Sequence, residues 1–373
     1  MGQEWGTMVH EAYNRAGFKL YKKGEWSVLA GIILCMDGIG SVVAVGTGVK
    51  CIPRPSVQRH YQLIRDSHAE VLARRAFIAY LYRQIAECQA FRASIFVPDG
   101  VGRYQLKKGV SFVMYISQAP CGEATMHIIE PFNNRIDDIE EGPAKRIKKT
   151  MRGRADVTRR NVLRTKPGRA DSPPSFSHSC SDKLALWSSV GWQGAILSHL
   201  LTEPIFIEKF LIGERFDKES LVRAIWGRAK WMRPDCQIEF EEYKGQPFEY
   251  SLGVVSSKEL SSNIAIKPTS VGQIWFEGCG KTETIVDGKK QGSANTKDPS
   301  LPLKLQSSLS TERLFNLYRN LAGVLNEDLI ASVKIKSEGY QRKKSILFNH
   351  EASPFCGWQE SNDIVRNARC EFV

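Results

Sequence analysis

The sequence predicts a layered α/β domain, because segments with strand patterns and segments with helix patterns alternate along its 373 residues. A hydrophobic fraction of 42% and a charged fraction of 25% are ordinary for a globular protein with a large core. The longest apolar run, Val28 to Met36, is far too short to cross a bilayer. We therefore expect a globular chain without a membrane-spanning segment.

The individual elements follow from local patterns. Short apolar and β-branched runs between turn residues predict strands at residues 27–36, 41–49, 94–98, 110–117, 205–212 and 263–276. Apolar residues at helical spacing predict helices at about residues 67–90, 122–129, 181–201, 219–231, 310–322, 326–336 and 340–349. Asp37-Gly38 between the first two strands is typical of a hairpin turn. Asp66 or Ser67 can cap the first long helix.

Positive charge is concentrated in one part of the chain. The net charge is +12, and the window from Lys145 to Arg169 holds eleven basic residues and one acid. The remainder is nearly neutral, which excludes a uniformly basic, histone-like protein and favours a polyanionic partner such as nucleic acid. Glycines and prolines interrupt residues 133–178, which predicts an irregular, mobile insertion. The alternative for the first half of the basic window is a solvated, disordered loop.

The cysteines indicate the compartment. Nine are scattered through the chain, and the N-terminus lacks the layout of a secretory signal. This pattern favours reduced thiols or metal ligands over a disulfide framework. We expect a cytoplasmic or nuclear protein.

Two short motifs predict a catalytic metal site. His68-Ala69-Glu70 lies at the predicted start of the first long helix, and Pro120-Cys121-Gly122-Glu123-Ala124 lies at the start of the next. Zn²⁺ binds imidazole and thiolate, and a catalytic site keeps one position for water. Glu70 is close enough to His68 to move protons without binding the metal. This layout is typical of the zinc nucleobase deaminases.

The third ligand stays open on spacing alone. Ala124 stands where the common signature has a second cysteine, so the ligand must come from elsewhere. Cys180 is the best candidate, because it begins the third predicted helix. The alternatives are His178, His127 and Cys88.

The motifs together resemble the editing-deaminase domain, which is shared by adenosine deaminases acting on tRNA and on double-stranded RNA. The matching segments are His68–Glu70, Pro120–Ala124, Ser179–Lys183, Gly191–Gly194, Gly46–Gly48 and Arg164–Arg169. The resemblance implies one domain over residues 1–373, with core motifs at 46–200 and a C-terminal part at 201–373. It implies a cytidine-deaminase-like three-layer core, a central mixed sheet with helices on both faces, and a helical C-terminal extension. It also identifies Cys180 as the third zinc ligand.

The motifs resemble those of the tRNA-specific adenosine deaminase 1 type, which implies an activity. Such enzymes deaminate adenosine-37, 3′ of the anticodon, to inosine in eukaryotic alanine tRNA, and Glu70 matches the proton shuttle. We expect a monomer that binds tRNA but neither DNA nor membranes. The candidate substrate contacts are Thr47, Lys50, Lys145, Arg146, Lys148 and Lys149.

The resemblance further implies a buried inositol hexakisphosphate. The matching residues are Asp66, Arg74, Arg75, Lys166, Lys183, Trp187, Gln193, Lys334, Tyr340, Lys344, Trp358 and Glu360. A multivalent anion would offset the cost of charges on otherwise apolar helices. The alternative is that these side chains extend to solvent. Relatives have basic or aromatic residues at or near three positions where this chain has Leu186, Thr311 and Ile330. This difference predicts fewer contacts at the edge of the inositol phosphate site.

Two other functions compete with tRNA deamination. The first is editing of double-stranded RNA, which is disfavoured because Gly46–Gly48 already belong to the catalytic domain and leave no room upstream for RNA-binding modules. The second is a non-catalytic tRNA-binding protein with a structural zinc site. Such a site normally has four protein ligands, whereas three are evident here.

Overall fold

The computed structural model describes residues 2–53, 61–129, 150–154, 157–168, 172–259, 264–292, 301–323 and 330–359. Extended segments in these ranges form sixteen strands. In chain order they are β1 (Glu25–Trp26), β2 (Leu29–Met36), β3 (Ile39–Thr47), β4 (Val49–Cys51), β5 (Asp66–His68), β6 (Phe96–Pro98), β7 (Tyr104–Leu106), β8 (Ser111–Gln118), β9 (Thr150–Arg152), β10 (Leu163–Thr165), β11 (Lys209–Glu214), β12 (Glu239–Glu242), β13 (Lys267–Pro268), β14 (Val271–Phe276), β15 (Glu283–Val286) and β16 (Lys289–Lys290).

Eight of these strands form one mixed sheet in the order β12-β11-β8-β2-β3-β14-β15-β16. The first three run parallel to one another, and the remaining neighbours pair antiparallel. Strand β2 is central and is buried on both faces, since Ile32 faces one core cluster and Ile33 faces the other. This position explains the continuous apolar run in its sequence.

Helices cover both faces of the sheet. They are α1 (Gly2–Ala16), α2 (Ala69–Gln89), α3 (Met126–Ile129), α4 (Cys180–Val190), α5 (Gly194–Leu197), α6 (Lys218–Leu221), α7 (Gly227–Ala229), α8 (Leu252–Glu259), α9 (Thr311–Ala322), α10 (Ile330–Lys336) and α11 (Glu338–Asn349). A π-helical turn at Val222–Trp226 joins α6 to α7. No helix of the described residues is long and apolar enough to cross a membrane.

The layers confirm the predicted α/β fold of cytidine-deaminase type. Helix α2 packs on β3 and β14, and its apolar residues share the larger core with α4. Helix α1 packs on the opposite face through Val9, Ala12 and Tyr13. The C-terminal helix α11 packs against α4 through a smaller cluster that contains Leu347 and Phe355.

The structure differs from the sequence predictions at four points. Neither Asp66 nor Ser67 caps α2, because both lie in β5 and the N-cap residue is His68. The sequence patterns did not predict α1. The single helix predicted at 181–201 is two helices, because Gly191 has φ = +105° and the Gln193 side chain occupies the space beside its Cα. The insertion at 133–178 is not wholly irregular, since β9 and β10 form a parallel ladder. Residues 133–149 of that insertion lie outside the described residues.

Candidate metal centre and an adjoining cationic cavity

Three helix starts bring the predicted ligands together. One ligand atom from each of His68, Cys121 and Cys180 lies within 4.8 Å of the other two. His68 directly precedes α2, and Cys180 is the first residue of α4. Cys121 follows β8 and precedes a 3₁₀ turn at Glu123–Thr125. An imidazole and two thiols at this spacing can hold a metal ion.

Glycines allow the His68 side of the site to form. Val49 pairs with His68 across the β4–β5 ladder, and the Ala69 amide donates to the Gly48 carbonyl over 2.9 Å. A Cβ on Gly46 would lie 2.6 Å from the Ala73 nitrogen, so only glycine lets β3 pass directly beneath the first turn of α2. Gly46 and Gly48 therefore allow the close approach between β3 and the start of α2 that positions His68.

The cysteine side is held by backbone contacts between the two loops. Gly122 has φ = +104°, and a Cβ there would lie 2.2 Å from the Ser179 Oγ. The Ser181 amide and hydroxyl both donate to the Cys121 carbonyl at 3.0 Å. The Cys180 amide donates to the Cys121 Sγ at 3.4 Å. These contacts fix the separation of the two sulfur atoms before any metal binds.

The electrostatics suit a metal ligand and a proton carrier. A hydrogen bond from Cys180, followed by the charges of Lys166 and His68, lowers the pKa of Cys121 well below its usual range. Cys121 is thereby disposed to be a thiolate, the form that binds metals. Glu70 is only 3% exposed, and burial raises the pKa of its carboxyl. A raised pKa favours a group that accepts a proton and then returns it.

A chain of buried polar groups leads away from the cysteines. The Lys166 Nζ donates to the Cys180 Sγ at 3.1 Å and to the Asp66 Oδ2 at 2.8 Å. The same carboxylate oxygen accepts from the Lys183 Nζ and from the Ser177 hydroxyl. Burial alone would raise the pKa of Asp66, but Lys166 and Lys183 hold it well below the usual range.

Beyond Lys183 lies a cavity of about 330 Å³ with a strongly positive wall. Among the residues that the structure describes, five cationic side chains and the carboxylate of Asp66 line it. The cations are Arg65, Arg74, Arg75, Lys183 and Lys344. The Arg74 guanidinium also lies 4.4 Å from the centre of the Trp187 ring, and the Arg75 Nε donates to the Leu309 carbonyl at 2.7 Å.

Burial, aided by neighbouring positive charge, lowers the proton affinity of Arg75 and of the nearby Lys334. Burial and the neighbouring guanidinium groups lower the pKa of Arg75 to about 9. Burial, together with Arg65, Lys344 and Arg75, lowers the pKa of Lys334 to about 7. A polyanion in the cavity would reverse these shifts, because opposite charge favours the protonated form.

The structure gathers most, but not all, of the predicted polyanion residues around the cavity. Asp66, Arg74, Arg75, Lys183, Trp187, Lys344 and Trp358 line it. Lys334 lies nearby over the Tyr61 ring, and Tyr340 contributes to the charge environment of Arg74. Lys166 sits on the far side of Asp66. The Gln193 side chain instead accepts from the Ile205 amide, and Glu360 lies outside the described residues.

The predicted substrate contacts have different positions. Lys50 is exposed on β4. Thr47 has no exposed surface, and its hydroxyl is hydrogen bonded to that of Tyr21, so it lies in the core beneath the site and not on its surface. Lys145, Arg146, Lys148 and Lys149 lie outside the described residues.

The alternative ligands have other partners. His127 is hydrogen bonded to the Ser220 hydroxyl, Cys88 packs against the larger core, and His178 stacks on Trp358. Sequence reasoning missed Arg65. It lies in a loop, where there is no apolar helical pattern against which a buried charge would stand out. Its position directly before Asp66 was the only available indication.

A buried carboxylate beside one imidazole and two thiols, on this α/β fold, is the arrangement of the nucleobase deaminases. The chain belongs to the adenosine-deaminase (editase) domain family, whose model matches residues 44–362.

Relatives of two kinds are similar to the chain. The tRNA-specific adenosine deaminase 1 of Saccharomyces cerevisiae is 33% identical over 341 residues, which cover 87% of this chain and 82% of that protein. The protein of the same name in Drosophila melanogaster is 31% identical, covering 73% of this chain and 70% of its own length. The double-stranded RNA-specific editase Adar of Drosophila melanogaster is 34% identical over 240 residues. That match covers 60% of this chain, and the chain spans only 35% of that editase.

Proposed function

We propose that the chain hydrolyses adenosine-37 to inosine in the anticodon loop of alanine tRNA. The observation that carries the choice of tRNA is the extent of the match. The match to the yeast tRNA-specific deaminase covers 87% of this chain, whereas the match to the fly editase covers 60% of it. The candidate metal centre supports the deamination itself, because it joins a His/Cys/Cys ligand set to a buried glutamate.

The metal we propose is Zn²⁺, held by His68, Cys121 and Cys180. One imidazole and two thiolates are borderline-soft donors that suit zinc, and three protein ligands leave a fourth position for water. When bound, Zn²⁺ lowers the pKa of such a water from 15.7 to roughly 7 and so supplies a nucleophile at neutral pH.

In the proposed mechanism, Glu70 carries protons between water and base. Adenosine and water give inosine and ammonia, with a new C6–O bond and loss of the C6–N6 bond. The Glu70 carboxylate accepts one proton from the attacking water and delivers it to N1 of the ring. It then transfers the second water proton to the departing amine. A base turned out of an anticodon loop can reach such a site because loop bases are not held in a duplex.

The ligand we propose for the cationic cavity is inositol hexakisphosphate. The described lining residues include five cations and the carboxylate of Asp66, an excess of positive charge that favours a compact anion of high charge. The volume of about 330 Å³ falls in the range of small-molecule sites. Arg65 adds a cation to this wall, which can offset the arginine that Leu186 replaces.

A substrate comparison tests the proposed activity. The purified chain is expected to form inosine in alanine tRNA, and replacing adenosine-37 by guanosine should remove that product. A long RNA duplex of matched adenosine content should give little inosine under the same conditions. Efficient deamination of the duplex would instead support the second candidate, an editor of double-stranded RNA, which the 34% identity to the fly editase favours. No inosine in either RNA would support a non-catalytic tRNA-binding protein.

The bound groups are tested separately. Native mass spectrometry of the purified protein should find one zinc ion and one inositol hexakisphosphate per chain. The Cys180→Ala variant should lose zinc, and the Arg75→Gln variant should bind less inositol phosphate without losing zinc. Purified wild-type protein that contains neither group, yet deaminates tRNA, would contradict both assignments.

The remaining expectations are part of the same proposal. We propose a cytoplasmic or nuclear monomer, in which residues 1–373 form one catalytic domain. Lys145, Arg146, Lys148 and Lys149 are proposed to contact tRNA phosphates, and Lys50 is proposed to contact RNA beside the target base. These contacts would make binding weaken as salt concentration rises.

A further inference from the structure

His178 is a buried histidine that the proposed metal centre does not use. It lies two residues before Cys180, yet its ring packs flat against Trp358, with ring centres 3.9 Å apart and planes 15° apart. Its Nε2 accepts a hydrogen bond of 3.0 Å from the Gln359 amide. Only 1% of its surface is exposed. Two contacts from one side chain therefore hold adjacent residues near the end of the described chain.

Those residues belong to a closure segment, which we define as residues 353–359. Its outer positions are exposed at Gly357 and Gln359, while Phe355 is fully buried against α4 and α11. Trp358 also stacks against Phe348 of α11, with planes 4° apart. The Gly357 carbonyl accepts from the Thr150 hydroxyl at 2.6 Å. The described contacts of the segment therefore include a buried anchor at Phe355, the ring stacks of Trp358 and one hydrogen bond to Thr150.

The closure segment forms part of the wall of the cationic cavity. Trp358 and Gln359 line that cavity beside His178 and Ser177. The opposite wall comes from α2 and α4, through Arg74, Arg75 and Lys183 among others. Because Trp358 and Gln359 are part of the wall, displacement of the segment would open the cavity on that side.

The ring orientation of His178 is fixed by the hydrogen bond to Nε2 and by the stack on Trp358. Since Nε2 accepts a backbone amide, the ring proton is assigned to Nδ1. That nitrogen faces the Asp182 Oδ2 at 3.8 Å, and Asp182 is itself buried and paired with Arg228. Thr165 forms a β-bridge with His178, which holds its backbone. The histidine is therefore anchored on the α4 side and presents its ring face and Nε2 to the segment.

We propose that His178 is a positioning residue that latches the closure segment over the cationic cavity and thereby slows release of the bound polyanion. The slower release rests on the polyanion proposed above, whereas the latch does not. The latch itself concerns contacts between His178 and residues 358–359. A stacked aromatic pair and one buried hydrogen bond together should slow opening by roughly tenfold to a hundredfold.

Three variants separate the two contacts. His178→Ala removes both, His178→Phe keeps the stack and loses the acceptor, and Trp358→Ala removes the stack from the other side. His127→Ala is the matched control, because it also removes a histidine hydrogen bond but touches α6 and not the closure segment. Thermal unfolding identifies any variant that fails to fold, and the remaining variants then carry the test.

The first measurement is hydrogen–deuterium exchange of a peptide that covers residues 353–359. We expect roughly tenfold to hundredfold faster exchange in His178→Ala, an intermediate rate in His178→Phe, and the wild-type rate in His127→Ala. Partial rescue by phenylalanine is the feature that a general loss of stability would not produce. Unchanged exchange in His178→Ala would overturn the latch.

The second measurement follows release of radiolabelled inositol hexakisphosphate into an excess of unlabelled compound. Release should accelerate in the same order as exchange, from wild type through His178→Phe to His178→Ala. Faster exchange of the segment with unchanged release would overturn the closure role. A wild-type protein that takes up no labelled compound would contradict the proposed polyanion, while the exchange measurement would still decide the latch.

Discussion

Glu70→Gln is expected to lower the rate of tRNA deamination by roughly a hundredfold to ten-thousandfold, which is the usual contribution of a general acid–base group. Glutamine has the same shape but cannot accept the proton of the attacking water. Glu70 lies in the first turn of α2, two residues after His68, and is buried. The rate should be measured as inosine formed in a single turnover, with zinc content determined on the same sample.

The matched control is Glu87→Gln, near the far end of the same helix. Glu87 pairs with Arg92 and lies on the outside of α2, so its substitution should leave both deamination and zinc content unchanged. Wild-type deamination by Glu70→Gln would refute its role as proton carrier. Loss of zinc from that variant would instead assign Glu70 to assembly of the metal centre.

The two ligand motifs could be predicted because each is local. His68 and Glu70 are two residues apart at a helix start, and Pro120-Cys121 precedes another turn. Cys180 could not be derived in this way, because 59 residues separate it from Cys121 and much of the interval is an insertion. Its place depends on long-range contacts, such as the bonds from Ser181 to the Cys121 carbonyl. Resemblance to a family supplied what spacing could not.

Two of the errors in the fold have identifiable causes. The large apolar residues that helix α1 buries are few, chiefly Val9 and Tyr13, and Gly2 and Gly6 near its start weaken the helical pattern. The break at Gly191 depends on a side chain that packs back from Gln193. The first error arises because a weak local pattern is stabilised by packing on the sheet, and the second because the backbone turns locally at Gly191.

The positions of the cationic residues could be predicted only in part. The family resemblance implied that Arg74, Arg75 and Lys183 face an anion, and all three line the cavity. Arg65 lines it too, but a loop position offers no apolar pattern for a charge to interrupt. The basic insertion was expected to be irregular, yet its Lys166 is buried against Cys180. A net charge of +12 therefore includes cations that the folded chain turns inward.

Asp66→Asn is expected to reduce the free energy of unfolding by about 3–5 kcal/mol, which is the usual cost of breaking a buried ion pair by removing one partner. The Asp66 Oδ2 accepts from Lys166, Lys183 and Ser177, and the carboxyl is almost fully buried. Asparagine keeps the shape but leaves two buried ammonium groups without their carboxylate. Urea unfolding measures the loss, and zinc content reports whether the cysteine side of the site survives.

The control for this substitution is Glu241→Gln, which removes a carboxylate from the partly exposed pair with Lys209. Pairs of that kind contribute about 0–1 kcal/mol, so the control should change the unfolding free energy little. A loss in Asp66→Asn no larger than in the control would contradict the proposed importance of the buried chain.

A second substitution in the Asp66→Asn variant shows which of the two lysines is left without a balancing negative charge. Lys183 lines the cavity, so a bound polyanion can balance it when Asp66 is absent, whereas Lys166 lies on the far side against Cys180. With inositol hexakisphosphate present, Asp66→Asn combined with Lys166→Met should therefore recover more stability than Asp66→Asn combined with Lys183→Met. The opposite order would mean that the polyanion does not reach Lys183, and that the chain from the cavity to the cysteines ends at Asp66.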